Sequence, residues 1–334
     1  MNSNHHELIP ILLRFTLFYD SIAVKRNRCN HNLIATDFCI RFRISSPNQA
    51  LFMARNHTTL LLFMIAHNKS RKKELLLNQA THAGRPAAQP KLSIIIPIYN
   101  EEDSLSEVLR RVRTIAWKHY EIILVNDCST DTTASILEPE KKQPDTIVLT
   151  HNCNLGKGAA IRTGLRYAAG DIVIIQDADL EYNPDEIIHV VEPIARNETQ
   201  VCYGSRFLGS VEAMRLPNRV ANWILAKMIS LLYGQTITDE ATAYKAFHRS
   251  VIDRIPLECH GFEFCPEVTG KVLKLGYSIK EVPVHFKART IAEGKKIGWW
   301  DFVIAVWTIL KIRLFWSTKK ATPQVIKINK QYHD

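Results

Sequence analysis

Several features are missing from this 334-residue chain, and each absence closes off a class of protein. The seven cysteines, Cys29, Cys39, Cys128, Cys153, Cys202, Cys259 and Cys265, are odd in number and include no C-x-x-C pair. That argues against a zinc site or a disulfide framework and fits a reducing, cytoplasmic compartment. No apolar run reaches the roughly 20 residues that span a bilayer. The clusters at 8–13 and 60–66 are much shorter, and no convincing signal peptide precedes them. Internal repeats are absent as well. Net charge is nearly absent beyond residue 90, where 31 basic residues face 29 acidic ones. The first 90 residues hold 12 basic and 4 acidic residues, so the overall charge of +10 belongs mostly to that extension. Such a segment can attract anionic lipid or nucleic acid. It reads equally well as a poorly ordered extension, or as an upstream over-translation with Met53 as the start.

What is present is a globular composition, 46% hydrophobic, with apolar runs ending in polar clusters. The first strand is expected at 92–97 and ends in Pro97-Ile98-Tyr99-Asn100-Glu101-Glu102; Leu105, Val108, Leu109 and Val112 then share one helical face. A second strand at 121–126 leads into Asp127-Cys128-Ser129-Thr130-Asp131. A third at 146–149 leads into Asn154-Leu155-Gly156-Lys157-Gly158 and an alanine-rich helix. A fourth, 172–176, ends in Asp177-Ala178-Asp179. Alternating strands and helices predict an α/β fold with a mainly parallel sheet, whose ligands bind beyond the carboxyl ends of the strands. Two carboxylates in a turn at that edge can hold a hard divalent cation through oxygen and leave positions for phosphate and water.

In their order, these four motifs resemble family 2 glycosyltransferases of GT-A fold, and within them the dolichyl-phosphate mannosyltransferase-like, polyprenyl-phosphate branch. The resemblance covers about 91–313. It implies a Rossmann-like, mainly parallel sheet flanked by helices at 91–297, after the basic extension at 1–90. Residues 298–334 then form an amphipathic membrane-associating helix and tail. The absence of a Q-x-x-R-W motif and of a multispan region argues against a processive polysaccharide synthase.

The resemblance implies inverting, metal-dependent transfer of a hexose from a nucleotide sugar, GDP-mannose or UDP-glucose, to a dolichyl or undecaprenyl phosphate. Pro97, Tyr99, Glu101, Asp127, Lys157 and Asp177 are the expected donor-binding residues. Asp177, Asp179 and Glu181 are expected to hold Mg2+ or Mn2+; the Glu181 position is often Gln in the resembling enzymes. The cation acts as a Lewis acid and template for the departing diphosphate. Arg206, Arg219, Arg289 and Lys295 stand where that branch places basic residues for acceptor phosphate and donor diphosphate. Arg289 and Lys295 belong to 283–296, which resembles a loop that closes over the substrates.

Acceptor chemistry has two readings. An ionised phosphate needs positioning cations, whereas a lipid or saccharide hydroxyl needs a general base. The segment 239–247 departs from D-x-x-S-G-[FY]-[RK] at Thr242 and Ala243, which leaves Asp239 or Glu240 available as that base. A non-catalytic sugar-nucleotide-binding protein is a further alternative, against which Asp177 and Asp179 both argue. The apolar segments 223–233 and 299–316 suit a polyprenyl chain and a membrane surface, and 223–233 reads equally well as a core-packing helix. The enzyme is therefore expected to sit peripherally on the cytosolic face of a membrane, with no nucleic-acid partner.

Overall fold

In a computed structural model, the structure describes residues 89–289 and 298–318. The basic extension, Met53, Cys29, Cys39, Lys295 and the C-terminal tail lie outside the described residues. Leu92–Ile98 forms β1, buried along its whole length. Leu92, Ile94, Ile96 and Ile98 face one apolar cluster and Ile95 faces the other, as the two-residue period of a strand requires. Pro97 is tolerated in this central strand for a local reason. It lies on the same side of β1 as Ile95, whose carbonyl accepts from Gln176 N, and pairing with β4 has ended at Ile95 and Ile175. The missing N–H therefore breaks no ladder bond.

The chain continues through α1 (Leu105–Val112), β2 (Tyr120–Asn126), α2 (Thr133–Leu137), β3 (Thr146–Thr150), α3 (Lys157–Tyr167) and β4 (Ile172–Ile175). It then passes α4 (Ile187–Ala195), β5 (Val201–Glu212), α5 (Leu216–Tyr233), β6 (Lys245–His248) and α6 (Arg249–Ile252). The last described elements are α7 (Phe264–Lys274), β7 (Lys280–Lys287) and α8 (Trp299–Phe315). The seven strands lie in the order β3-β2-β1-β4-β6-β5-β7. Pairing is parallel except on both sides of β6, which runs antiparallel to β4 and β5.

The first three strands step outward from β1, and the chain then crosses to β4 on its other side. The carboxyl ends of β1 and β4 thus flank the point where strand order reverses, the usual ligand position in such sheets. Apolar residues of α1 and α4 cover one face of the sheet, while α3, α5, α7 and α8 contribute to the cluster on the other. Ala305 and Ile309 of α8 belong to this second cluster, and Tyr233 Oη donates to Ile309 O at 2.9 Å. The 298–316 segment thus packs one face on the sheet domain and leaves Trp299, Trp300, Leu314 and Phe315 exposed. Among the described residues, no helix is long and apolar enough to cross a membrane.

Candidate functional site

The loops after β1 and β2 are stitched together by side chains. Asn100, at φ 52°, accepts from Thr130 N at 2.8 Å and donates its own N–H to Ser129 Oγ at 3.0 Å. Glu101 N donates to Thr133 Oγ1, and Glu102 accepts from Thr132 N. The loop after β4 is tied in by Ser104, whose hydroxyl bonds Glu101 Oε2 at 3.0 Å and Ala178 O at 2.9 Å. These bonds set Glu101 beside the Asp177-Ala178-Asp179 turn.

Four carboxylates meet two cations at this edge. Lys157 Nζ lies 2.5 Å from Asp177 Oδ1, and Arg289 Nη2 lies 2.7 Å from Asp179 Oδ2. Arg289 also holds Glu101, with Nη1 to Oε2 at 2.8 Å and Nη2 to Oε1 at 3.2 Å, and its backbone N–H donates to Glu181 Oε1 at 2.7 Å. Burial and the neighbouring charges of Asp177 and Glu181 push the Asp179 carboxyl up to about 7, against the pull of Arg289 and Lys157. Burial opposes the charge on Lys157, but Asp177 outweighs it and holds that amine above its ordinary value.

The donor set suits Mg2+ or Mn2+, since it consists of hard carboxylate oxygens with charge left uncompensated. Among the described residues, no three His, Cys, Asp or Glu side chains converge closely enough to hold a metal unaided. Asp177 and Asp179 would therefore share the ion with substrate oxygens and water. Glu181, expected as a further ligand, has one oxygen engaged by the Arg289 backbone.

Asp127 is almost fully buried. Oδ1 accepts from His151 Nδ1 at 2.7 Å and Leu155 N at 2.8 Å, and Oδ2 accepts from Gly156 N at 2.7 Å. His151 Nε2 in turn meets Thr163 Oγ1 at 2.9 Å. Gly156 has φ 96°, and a Cβ there would lie 2.3 Å from His260 O, so only glycine permits this close turn into α3. Pro97 is buried and Tyr99 half-buried.

Sequence reasoning does not single out His151, Ser104 or the backbone at His260. Their roles depend on contacts between distant segments, and neither an isolated His nor a Ser in a turn carries a local signal for them.

The basic residues expected for acceptor phosphate and donor diphosphate fall in different surroundings where the structure describes them. Arg219 is exposed on α5, Arg289 joins the acidic cluster, and Lys295 lies outside the described residues. Arg206 is 6% exposed and forms a bidentate pair with Asp239, which is fully buried. The sequence reading aims the Arg206 charge at an acceptor, whereas here that charge is spent on Asp239. Glu240 is 0% exposed, and among the described residues neither carboxylate oxygen has a hydrogen-bond partner. Burial pushes its carboxyl up to about 7, opposed by Lys245.

Residues 93–256 match the family described as Glycosyl transferase family 2. Similar curated relatives include the undecaprenyl-phosphate 4-deoxy-4-formamido-L-arabinose transferase of Shewanella sediminis, 33% identical over 212 residues that make up 61% of each chain. The Salmonella typhimurium protein of the same name is 30% identical over 213 residues, 61% of this chain and 62% of its own. The matched region thus spans about three fifths of the length of these relatives.

The fold resembles crystal structures of glucosyl-3-phosphoglycerate synthase from Mycobacterium tuberculosis. One, solved with Mn2+, UDP and phosphoglyceric acid, gives a TM-score of 0.54 at 18% identity, covering 70% of this chain and 86% of that one. Another, with Mg2+ and UDP, gives 0.52 at 19% identity, covering 67% and 79%. The architecture is therefore GT-A-like.

Proposed function

We propose that the protein is an inverting, metal-dependent glycosyltransferase that moves a sugar from a UDP-sugar to undecaprenyl phosphate at a membrane surface. The observation that carries this reading is the convergence of Glu101, Asp177, Asp179 and Glu181 with Lys157 and Arg289 at the strand-order reversal of a family 2 domain. Asp177 and Asp179 would hold Mg2+ or Mn2+, which supplies Lewis-acid stabilisation of the departing diphosphate when bound. Lys157 and Arg289 add positive charge on the same side, and Glu101 would accept from ribose hydroxyls.

Asp127 supports uracil over guanine. A carboxylate offers about four lone-pair sites, and three are occupied here. One acceptor position suits the single imide N–H of uracil better than the adjacent N–H groups of guanine. UDP in the similar crystal structures agrees with this choice. The relatives are named for an arabinose derivative, so a pentose stands beside the expected hexose as the sugar transferred.

Acceptor chemistry follows from Asp239 and Glu240. Arg206 holds both oxygens of Asp239, and Glu240 is sealed from solvent, so neither carboxylate stands ready to deprotonate a hydroxyl. A phosphate acceptor is already ionised and requires no base. Arg219 and Lys295 supply cations for it, and the exposed apolar side chains Trp223, Trp299, Trp300 and Phe315 suit its prenyl chain and the lipid surface. In this arrangement residues 1–90 are dispensable for chemistry, and 298–334 serve attachment.

The test is sugar transfer to undecaprenyl phosphate with a panel of UDP- and GDP-sugars. Asp179→Ala and chelation should each remove at least about 100-fold of the rate, the scale set by losing electrostatic stabilisation of a leaving group. Full transfer in metal-free buffer contradicts the metal-dependent reading.

A further inference from the structure

Arg289 lies across the acidic cluster as a counter-ion does. Its guanidinium spans Glu101 and Asp179, and its backbone N–H takes Glu181, so one residue engages three of the four carboxylates. The sequence separations are large, 188 residues to Glu101 and 110 to Asp179, so this contact belongs to the folded site and not to a local turn. Arg289 Nε is buried and, among the described residues, has no hydrogen-bond partner. A buried N–H of this kind is costly to leave unpaired and marks a place for an acceptor oxygen.

Charge points the same way. With all four carboxylates ionised, Arg289 and Lys157 leave two negative charges, the amount a divalent ion neutralises. A metal ion approaching Asp179 nevertheless meets an oxygen already held at 2.7 Å by Arg289. Guanidinium binds phosphate in the same forked manner as carboxylate, so a diphosphate can draw it away without leaving its charge unpaired.

We propose that Arg289 is a stand-in cation that holds Glu101 and Asp179 while nucleotide is absent and passes to the donor diphosphate when it binds. Only hydrogen bonds and ion pairs exchange. The freed Asp179 then receives the divalent ion, so metal enters with the diphosphate and not ahead of it. This rests on the donor and metal reading above, and it adds an order of binding set by one side chain.

The test is Mn2+ binding to the full chain, followed by the electron paramagnetic resonance signal of free Mn2+, without nucleotide and with saturating UDP. Wild type should bind Mn2+ at least about tenfold more tightly with UDP, a usual size for coupling between two ligands. Arg289→Gln should tighten nucleotide-free Mn2+ binding by about tenfold and shrink the gain from UDP. Arg289→Lys keeps the charge but cannot span Glu101 and Asp179 together, and should fall between the two. Circular dichroism confirms that the variants are folded. Nucleotide-free Mn2+ affinity that is unchanged or weaker in Arg289→Gln overturns the stand-in role. Asp179→Asn separates this from failure of the metal site. Mn2+ binding that survives Asp179→Asn removes the metal reading and the stand-in role together. Loss of binding in Asp179→Asn with no effect of Arg289→Gln removes the stand-in role alone.

Discussion

Both oxygens of Asp239 are held by Arg206: Nε reaches Oδ2 at 2.7 Å and Nη2 reaches Oδ1 at 2.7 Å, while the Arg206 backbone N–H adds a further bond to Oδ2 at 2.9 Å. The pair is buried, and the Arg206 guanidinium also lies 5.0 Å from the Phe286 ring centroid. Removing one partner strands the other in the interior. Asp239→Asn is therefore expected to cost about 3–5 kcal/mol of stability, measured by urea denaturation. A variant as stable as wild type but unable to transfer sugar would mark Asp239 as a base instead.

Cys128 sits at φ 62° in the loop after β2, a left-handed conformation that side chains other than Gly, Asn and Asp adopt at a cost. Its Sγ meets only Asn152 O, at 3.6 Å, among the hydrogen bonds of the described residues. Cys128→Gly should raise stability by roughly 0.5–1 kcal/mol, and Cys128→Val should lower it by more, because a β-branched residue is less tolerant there. Thermal melts of the two variants should move in opposite directions. A shift in the same direction contradicts the strain.

Much of the sheet is legible in the sequence because β1, β2 and β4 each carry an apolar run closed by a polar motif. The turn carrying Asp177 and Asp179 is legible for the same reason. The antiparallel β6 is not. Lys245-Ala246-Phe247-His248 has no strand period, and Lys245 is buried only because its Nζ donates to Glu240 O at 2.6 Å and lies 3.7 Å from the Tyr203 ring centroid. Arg206 illustrates the same limit. Composition favours an exposed arginine, and only tertiary pairing with Asp239 draws it inside. The contact between Arg289 and Glu101 joins opposite ends of the domain, and no local pattern encodes it.

Glu240 gives a pH signature. Its carboxyl is pushed up to about 7 in the folded state from an ordinary value of 4.5, chiefly by burial. The folded protein then holds a proton that the unfolded chain releases between those values, so this contribution is fully present below pH 4.5 and is lost as pH rises through about 7. Glu240→Gln removes the titration. Relative to wild type, its stability should improve from pH 5 to pH 8 by on the order of a few kcal/mol. Equal pH dependence of the two proteins in denaturant melts contradicts this placement of the carboxyl.

Trp299 and Trp300 are 70% and 63% exposed at the start of α8, while Ala305, Thr308, Ile309 and Ile312 face inward. Replacing both tryptophans with serine should leave the fold intact and weaken binding to anionic phospholipid vesicles by at least about tenfold, since each ring loses apolar burial at the interface. Vesicle flotation measures this. Unchanged binding by the folded double variant would assign the surface to another contact.

The most direct measurement compares transfer from one UDP-sugar to undecaprenyl phosphate and to the corresponding undecaprenyl alcohol. If the nucleophile is an ionised phosphate, only the phosphate should accept sugar, Arg219→Ala should lower kcat/KM for that acceptor by about tenfold or more, and Glu240→Gln should leave the rate within about threefold. Preference for the alcohol, with activity lost in Glu240→Gln, would contradict the phosphate acceptor and install a general base in its place.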